Sequence, residues 1–136
     1  MPHSKPRILC FGGLHYDDMI RCEADTILNE SNPVSRTRTP GGVALNVART
    51  LTALGNTVGL SSRVGADREG VELLDHVTRL GITAVLIQTD NTHATARYTA
   101  VLDHTSNLIL GLADMSIYDD FKPAHWQQGR QEIKHW

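Results

Sequence analysis

Between residues 7 and 88 the apolar residues switch repeatedly between two spacings, and that switching leaves few architectures open. RILCFGG (7–13) is a short apolar run ending in glycines, the pattern of a buried strand entering a loop. Over 43–54 the spacing becomes helical: Val43, Val47, Leu51 and Leu54 share one face, and Gly55 follows as a C-cap. NTVGLSSR (56–63) reads as a strand again. Asp67 stands where an N-cap belongs, before a helix marked by Val71, Leu74, Val77 and Leu80 and stopped by Gly81. The apolar, β-branched stretch 82–88 predicts a third strand. Strand, helix, strand, helix, strand is the order of a parallel sheet covered by helices.

The rest of the chain fits around that frame. Residues 17–42 are polar, with turn signals at Asn32-Pro33 and Pro40-Gly41 and short extended pieces at 18–22 and 34–39. Residues 92–103 and 107–114 flank the turn-like HTSN and predict a β-hairpin. A last helix begins after Pro123. A length of 136 residues suits one domain. Lys and Arg are scattered and the net charge is −2, which argues against a nucleic-acid partner. No apolar run approaches the ~18 residues needed to span a bilayer, and the first residues lack the pattern of a signal peptide. Cys10 and Cys22, without C-x-x-C spacing, fit reduced thiols, so a cytoplasmic setting is expected.

The chemistry gathers where the first helix begins. Ligands of open α/β sheets bind beyond the carboxyl ends of the strands. Asp17 lies just past the first strand, the Gly41-Gly42 turn opens the first helix, and Asn46 falls in its first turn. A carboxylate accepts from hydroxyls, and an amide both donates and accepts, so the set suits vicinal hydroxyls better than a phosphate. Plain turn glycines, with Asn46 bonding local backbone, remain the alternative on these residues alone. No phosphate loop is present: G-x-x-x-x-G-K-[ST] is missing and GGVALN is not G-x-G-x-x-G. Arg36 and Arg38 read as a solvated edge strand. The seven histidines form no H-x-x-x-H or H-E-x-x-H pair, so no metal site is expected, and no Ser-His-Asp or Cys-His set supports a hydrolase.

PGGVALNVARTLTALGNTVGLSSRVGADREG resembles the first signature of the ribokinase/PfkB family of small-molecule kinases. Gly41, Gly42, Ala44, Asn46, Ala48, Gly55 and Gly65 match it in type and spacing, as do V-G-x-D-x-x-G at 64–70 and the acid at Asp17. The resemblance spans roughly residues 7 to 122, and TARYTAVLDHTSNLILGLADMSIYDDF is most similar to pseudouridine kinase-like members. It implies the N-terminal part only of an α/β fold, a ribokinase-like three-layer α/β/α sandwich. A small β-sheet lid would be built from about 17–40 and 94–112. In such kinases Asp17, Gly41, Gly42 and Asn46 would hold sugar hydroxyls while ATP phosphorylates a hydroxymethyl group. His15 stands where the family often has Asn, and is a further candidate for substrate contact. Arg97 and Tyr98 are candidates to project from the lid toward a base or sugar, ordinary strand alternation being the other reading of both.

The family's general base, anion-hole amides and adenine pocket belong to a later half carrying a D-T-x-G-A-G-D-type motif, which this sequence lacks. The resemblance therefore implies that ATP and Mg2+ are bound mainly by that half, with no catalytic or cofactor-binding residue in these 136. The expected activity of this chain is to bind a small-molecule sugar or nucleoside without turnover. A homodimer through the lid sheet is a further option. The alternative is a non-catalytic sugar- or nucleoside-binding or oligomerisation module derived from the kinase fold.

Overall fold

The computed structural model describes residues 6–136, apart from the side chains of Pro123 and His125; His3 lies outside the described residues. The chain runs β1 (Arg7–Phe11), β2 (His15–Cys22), β3 (Val34–Gly41), α1 (Val43–Ala53), β4 (Thr57–Ser61), β5 (Arg63–Gly65) and α2 (Arg68–Arg79). It continues through β6 (Thr83–Ala84), β7 (Gln88–Asp90), β8 (Arg97–Leu102), β9 (Leu108–Asp114), a 3-10 turn at Ser116–Tyr118, α3 (Pro123–Gln128) and α4 (Arg130–Ile133). Strands β1, β4 and β6 form a parallel sheet, β5 and β7 a short parallel pair, and β3-β2-β8-β9 a separate four-stranded sheet.

The parallel sheet is covered on both faces. Ile8, Cys10, Val58 and Leu60 point into a core closed by Leu45 and Ala48 of α1 and by Leu73 and Val77 of α2. On the other face Phe11 stacks on Trp126 of α3, and the Arg7 guanidinium lies over the Trp136 ring. Alternation along β1 explains this division, since successive strand residues point to opposite faces.

The predicted stripes are the buried ones only in part: Leu51, Leu74, Val77 and Leu80 pack against the core, while Val43, Val47, Leu54 and Val71 are exposed. In α1 the buried residues are Ala44, Leu45 and Ala48, whereas Val43 is 80% and Leu54 72% exposed. Small alanines let the helix sit close to the strands: a Cβ built on Gly12 would lie 3.5 Å from that of Ala44. In α2 the buried set is Gly70, Leu73 and Val77, with Val71 turned to solvent.

The predicted strands at 56–63 and 82–88 are each divided. Ser62 separates β4 from β5, and Leu86, at φ 53°, breaks the ladder between β6 and β7. A left-handed leucine ends strand pairing because its backbone no longer lies in the pleat. The caps follow the sequence reading. Asp67 Oδ1 accepts the Gly70 N–H at 2.7 Å, and Gly55 and Gly81 close their helices at positive φ. The hairpin also forms as expected, as β8 and β9.

In the four-stranded sheet β2 pairs in parallel with β8 and antiparallel with β3, while β9 continues antiparallel from β8. Its junction with the parallel sheet is fixed by Tyr118. That hydroxyl accepts the Leu14 N–H at 3.0 Å and donates to the Leu14 carbonyl at 2.8 Å.

Candidate acceptor site

Alternation along β2 sends His15 and Asp17 to one face of the four-stranded sheet and Tyr16 and Asp18 to the other. On the first face His15 Nδ1 stands 3.3 Å from Asp17 Oδ1. Asp17 crosses to the end of β3, where a Cβ on Gly41 would fall less than 3.0 Å from its Oδ2. Glycine at 41 is thus what lets a carboxylate lie against the backbone. The next residue, Gly42, is the N-cap of α1 and supplies no side-chain cap. Four candidates therefore come together: His15, Asp17, Gly41 and Gly42.

Asn46 lies in the first turn of α1, where its N–H donates to the Gly42 carbonyl at 2.9 Å. Its side chain is exposed beside Val43, Val47, Thr50 and Leu51, and its Oδ1 accepts a long bond from Arg49 Nη2 at 3.4 Å. Tyr98 pairs with Asp17 and shares its face, but its hydroxyl leans over Gly111 of β9.

Arg97 is not on that face. It pairs with Tyr16, points away from Asp17 and donates through Nη2 to Glu69 of α2, with Nε 3.5 Å from Asp18 Oδ2. Nor are Arg36 and Arg38 simply solvated on their edge strand. Arg36 Nη2 donates to Asp18 Oδ2 at 2.5 Å, Arg38 Nε to Asp18 Oδ1 at 2.8 Å, and Arg38 Nη1 to Glu69 at 2.6 Å. The Asp18 side chain is only 1% exposed. Hydrogen bonds from Arg38 hold its carboxyl below the usual carboxylate range; burial pulls the other way, and Arg36 adds to the depression. One sequence signal pointed here: Arg36 and Arg38 are two residues apart on a strand, so both reach the same side as Asp18.

A second polar cluster lies at the end of β7. Asp90, His93 and Asp120 bring ligand atoms within 4.8 Å of one another. Asp90 is already committed: Oδ1 accepts the Thr92 and His93 N–H groups and the Thr92 hydroxyl, and Oδ2 pairs with Arg63. Those amide bonds hold its pKa well down.

Residues 5–128 match the profile of the pfkB family carbohydrate kinases. The chain belongs to this family. This pfkB-family chain is 35% identical over 91 residues to the pseudouridine kinase of Escherichia coli (strain K12), a match covering 65% of this chain and 28% of that protein. Its backbone superposes on a carbohydrate kinase from Agrobacterium tumefaciens with a TM-score of 0.84 at 32% identity, over 93% of this chain and 42% of that one. A nucleoside kinase from Methanocaldococcus jannaschii, described as an archaeal member of the ribokinase family, gives a TM-score of 0.70 at 25% identity, over 85% and 40%. The pfkB-family chain thus spans less than half the length of these relatives. Its fold is the ribokinase-like α/β/α arrangement.

Kinase chemistry brings ATP, and a kinase's ATP is ordinarily handled with Mg2+. The Asp90 cluster does not fit that ion, because the Arg63 guanidinium and two backbone amides already occupy the carboxylate. Among the described residues no helix is long and apolar enough to cross a membrane.

Proposed function

We propose that this chain is the acceptor-binding part of an ATP-dependent sugar or nucleoside kinase acting on a hydroxymethyl group of a pseudouridine- or ribose-like substrate. The observation that carries the reading is the Asp17 carboxylate lying against the bare backbone of Gly41, beside His15 and at the uncapped mouth of α1. A carboxylate there can accept from two substrate hydroxyls, and the exposed Asn46 amide can donate to a third group. The glycines keep side chains out of the space a sugar ring needs. The activities named for the relatives support the substrate class. ATP and Mg2+ are assigned to residues outside these 136, so the activity proposed for this chain is binding without turnover. Buried free thiols at Cys10 and Cys22 support a cytoplasmic setting.

Calorimetric titration of the 136-residue chain with pseudouridine and with ribose tests the site. Asp17→Ala and Asn46→Ala are each expected to weaken binding by about 1–3 kcal/mol, the scale of losing a buried polar partner. Unchanged affinity in variants with intact circular dichroism overturns the assignment.

A homodimer through the lid is favoured by its β9 edge, where Leu108, Ile109, Leu110 and Leu112 are all exposed. An apolar unpaired edge is a template for a second strand. Sedimentation should find a dimer that Leu112→Lys dissociates; a monomer at every concentration rules it out.

A further inference from the structure

We propose that Asp18 is a positioning residue: with Arg36, Arg38, Arg97 and Glu69 it clasps the lid to α2 and thereby sets where Asp17 stands. The role given to Asp17 rests on the acceptor-site reading above; the clasp itself does not.

The network has a definite wiring. Asp18 is the buried centre, and each arginine reaches it from a strand flanking β2. Arg36 and Arg38 come from β3 and Arg97 from β8. Arg38 is two-handed, donating to Asp18 through Nε and to Glu69 through Nη1, while Arg97 donates to Glu69 through Nη2 and brings its Nε to 3.5 Å from Asp18 as an ion pair. Glu69 belongs to the first turn of α2, a helix of the other layer. The Arg38 guanidinium also lies 5.2 Å from the centre of the Tyr16 ring, and the Tyr16 hydroxyl approaches Glu72 at 3.5 Å. Two carboxylates on different bodies therefore share two forked cations.

An ionic network round one buried carboxylate is a poor source of stability: the desolvation of Asp18 offsets part of the attraction, and the half-exposed arginines are screened by solvent. It is a good source of direction, since a fork bridging two carboxylates tolerates little rotation. Asp17 and Asp18 are consecutive on one strand, so their side chains are rigidly opposed across the sheet. Any roll of β2 that loosens Asp18 from its arginines swings Asp17 off Gly41. The same arginines hold β3 and β8, which carry Gly41 and Tyr98 on either side of Asp17.

The test separates orientation from folding. Ser35→Cys on β3 and Val71→Cys on α2 place spin labels on two exposed positions clear of the β9 edge, the native thiols being buried. Pulsed dipolar spectroscopy then reads the lid-to-body distance with no ligand present. Glu69→Gln removes the charge that Arg38 and Arg97 share on α2, and Asp18→Asn removes the charge at the centre. Expected are a broadened or shifted distance distribution in Glu69→Gln with the unfolding transition retained, and about tenfold weaker pseudouridine binding in the same variant. Arg97→Lys, which keeps the charge and loses the fork, should broaden the distribution as well. An unchanged distribution in folded Glu69→Gln overturns the clasp, even if Asp18→Asn fails to fold. A broadened distribution with full affinity, while Asp17→Ala still weakens binding, overturns the positioning role. If the wild-type chain binds no pseudouridine or ribose, the acceptor reading fails, and the distances still decide the clasp.

Discussion

Gly42→Ala is expected to lower the unfolding free energy by about 3 kcal/mol or more. Gly42 sits at φ 107° and ψ 137°, a conformation that side-chain-bearing residues rarely adopt. A Cβ there would come less than 3.0 Å from the Gly13 carbonyl oxygen and 3.1 Å from the Leu14 nitrogen. Both obstacles are backbone, so no rotamer change relieves them. The loop itself cannot retreat easily, because Tyr118 holds Leu14 by both its N–H and its carbonyl. Gly81 supplies the comparison: it also has positive φ (74°), but the nearest atom to its missing Cβ is 4.0 Å away. Gly81→Ala should cost only about 1 kcal/mol, the backbone penalty alone. Urea titrations of the two variants check this, and equal losses would mean that the approach of the first helix to the 12–15 loop is not as tight as described.

Leu60→Ala is the second large effect, expected at about 2–5 kcal/mol. Leu60 has no exposed surface and lies in the central strand of the parallel sheet, among the residues packed under both α1 and α2. Its backbone carbonyl accepts the Val85 N–H at 2.8 Å, so the strand cannot shift to fill a void without breaking its neighbour. Against a typical total of about 5–15 kcal/mol, the loss removes a large share of the stability. Val43→Ala, on the exposed side of α1, should change it by less than about 0.5 kcal/mol. The pair tests which face of the helix is inside: a reversed order in urea midpoints would restore the Val43–Val47 stripe as the core.

That stripe shows what the sequence could and could not convey. The alternation of strands and helices, the Asp67 cap, the glycine stops and the hairpin are local signals, written in neighbouring residues, and they appear in the fold as read. The inward face of α1 is not local. Ala44 and Ala48 are weakly apolar, and only the closeness of the sheet makes them the better fit than Val43 and Val47. The left-handed Leu86 leaves no mark in the sequence, because leucine has no preference for that conformation.

The candidate site divides along the same line. Asp17, Gly41, Gly42 and Asn46 could be singled out because strand end, turn and helix start follow one another along the chain. The direction of Arg97 could not. Alternation sets it opposite Tyr98, but which of the two faces Asp17 depends on the register of β8 against β2, strands that lie far apart in sequence. Asp18 was hidden for the same reason: its partners come from two other strands, and nothing in YDDM distinguishes the buried carboxylate from the one on the face of Gly41.

The parallel pairing of β2 with β8 also sets what the lid costs in chain entropy. Two strands running in the same direction must be joined by a crossover, and here the connection is everything from β3 to β7. Closing so long a loop is unfavourable, and the packing of the intervening strands and helices offsets that entropy. The β2–β3 and β8–β9 pairs, by contrast, join neighbours in the chain. The seam along β2 and β8 therefore depends on the rest of the fold in a way that neither hairpin does.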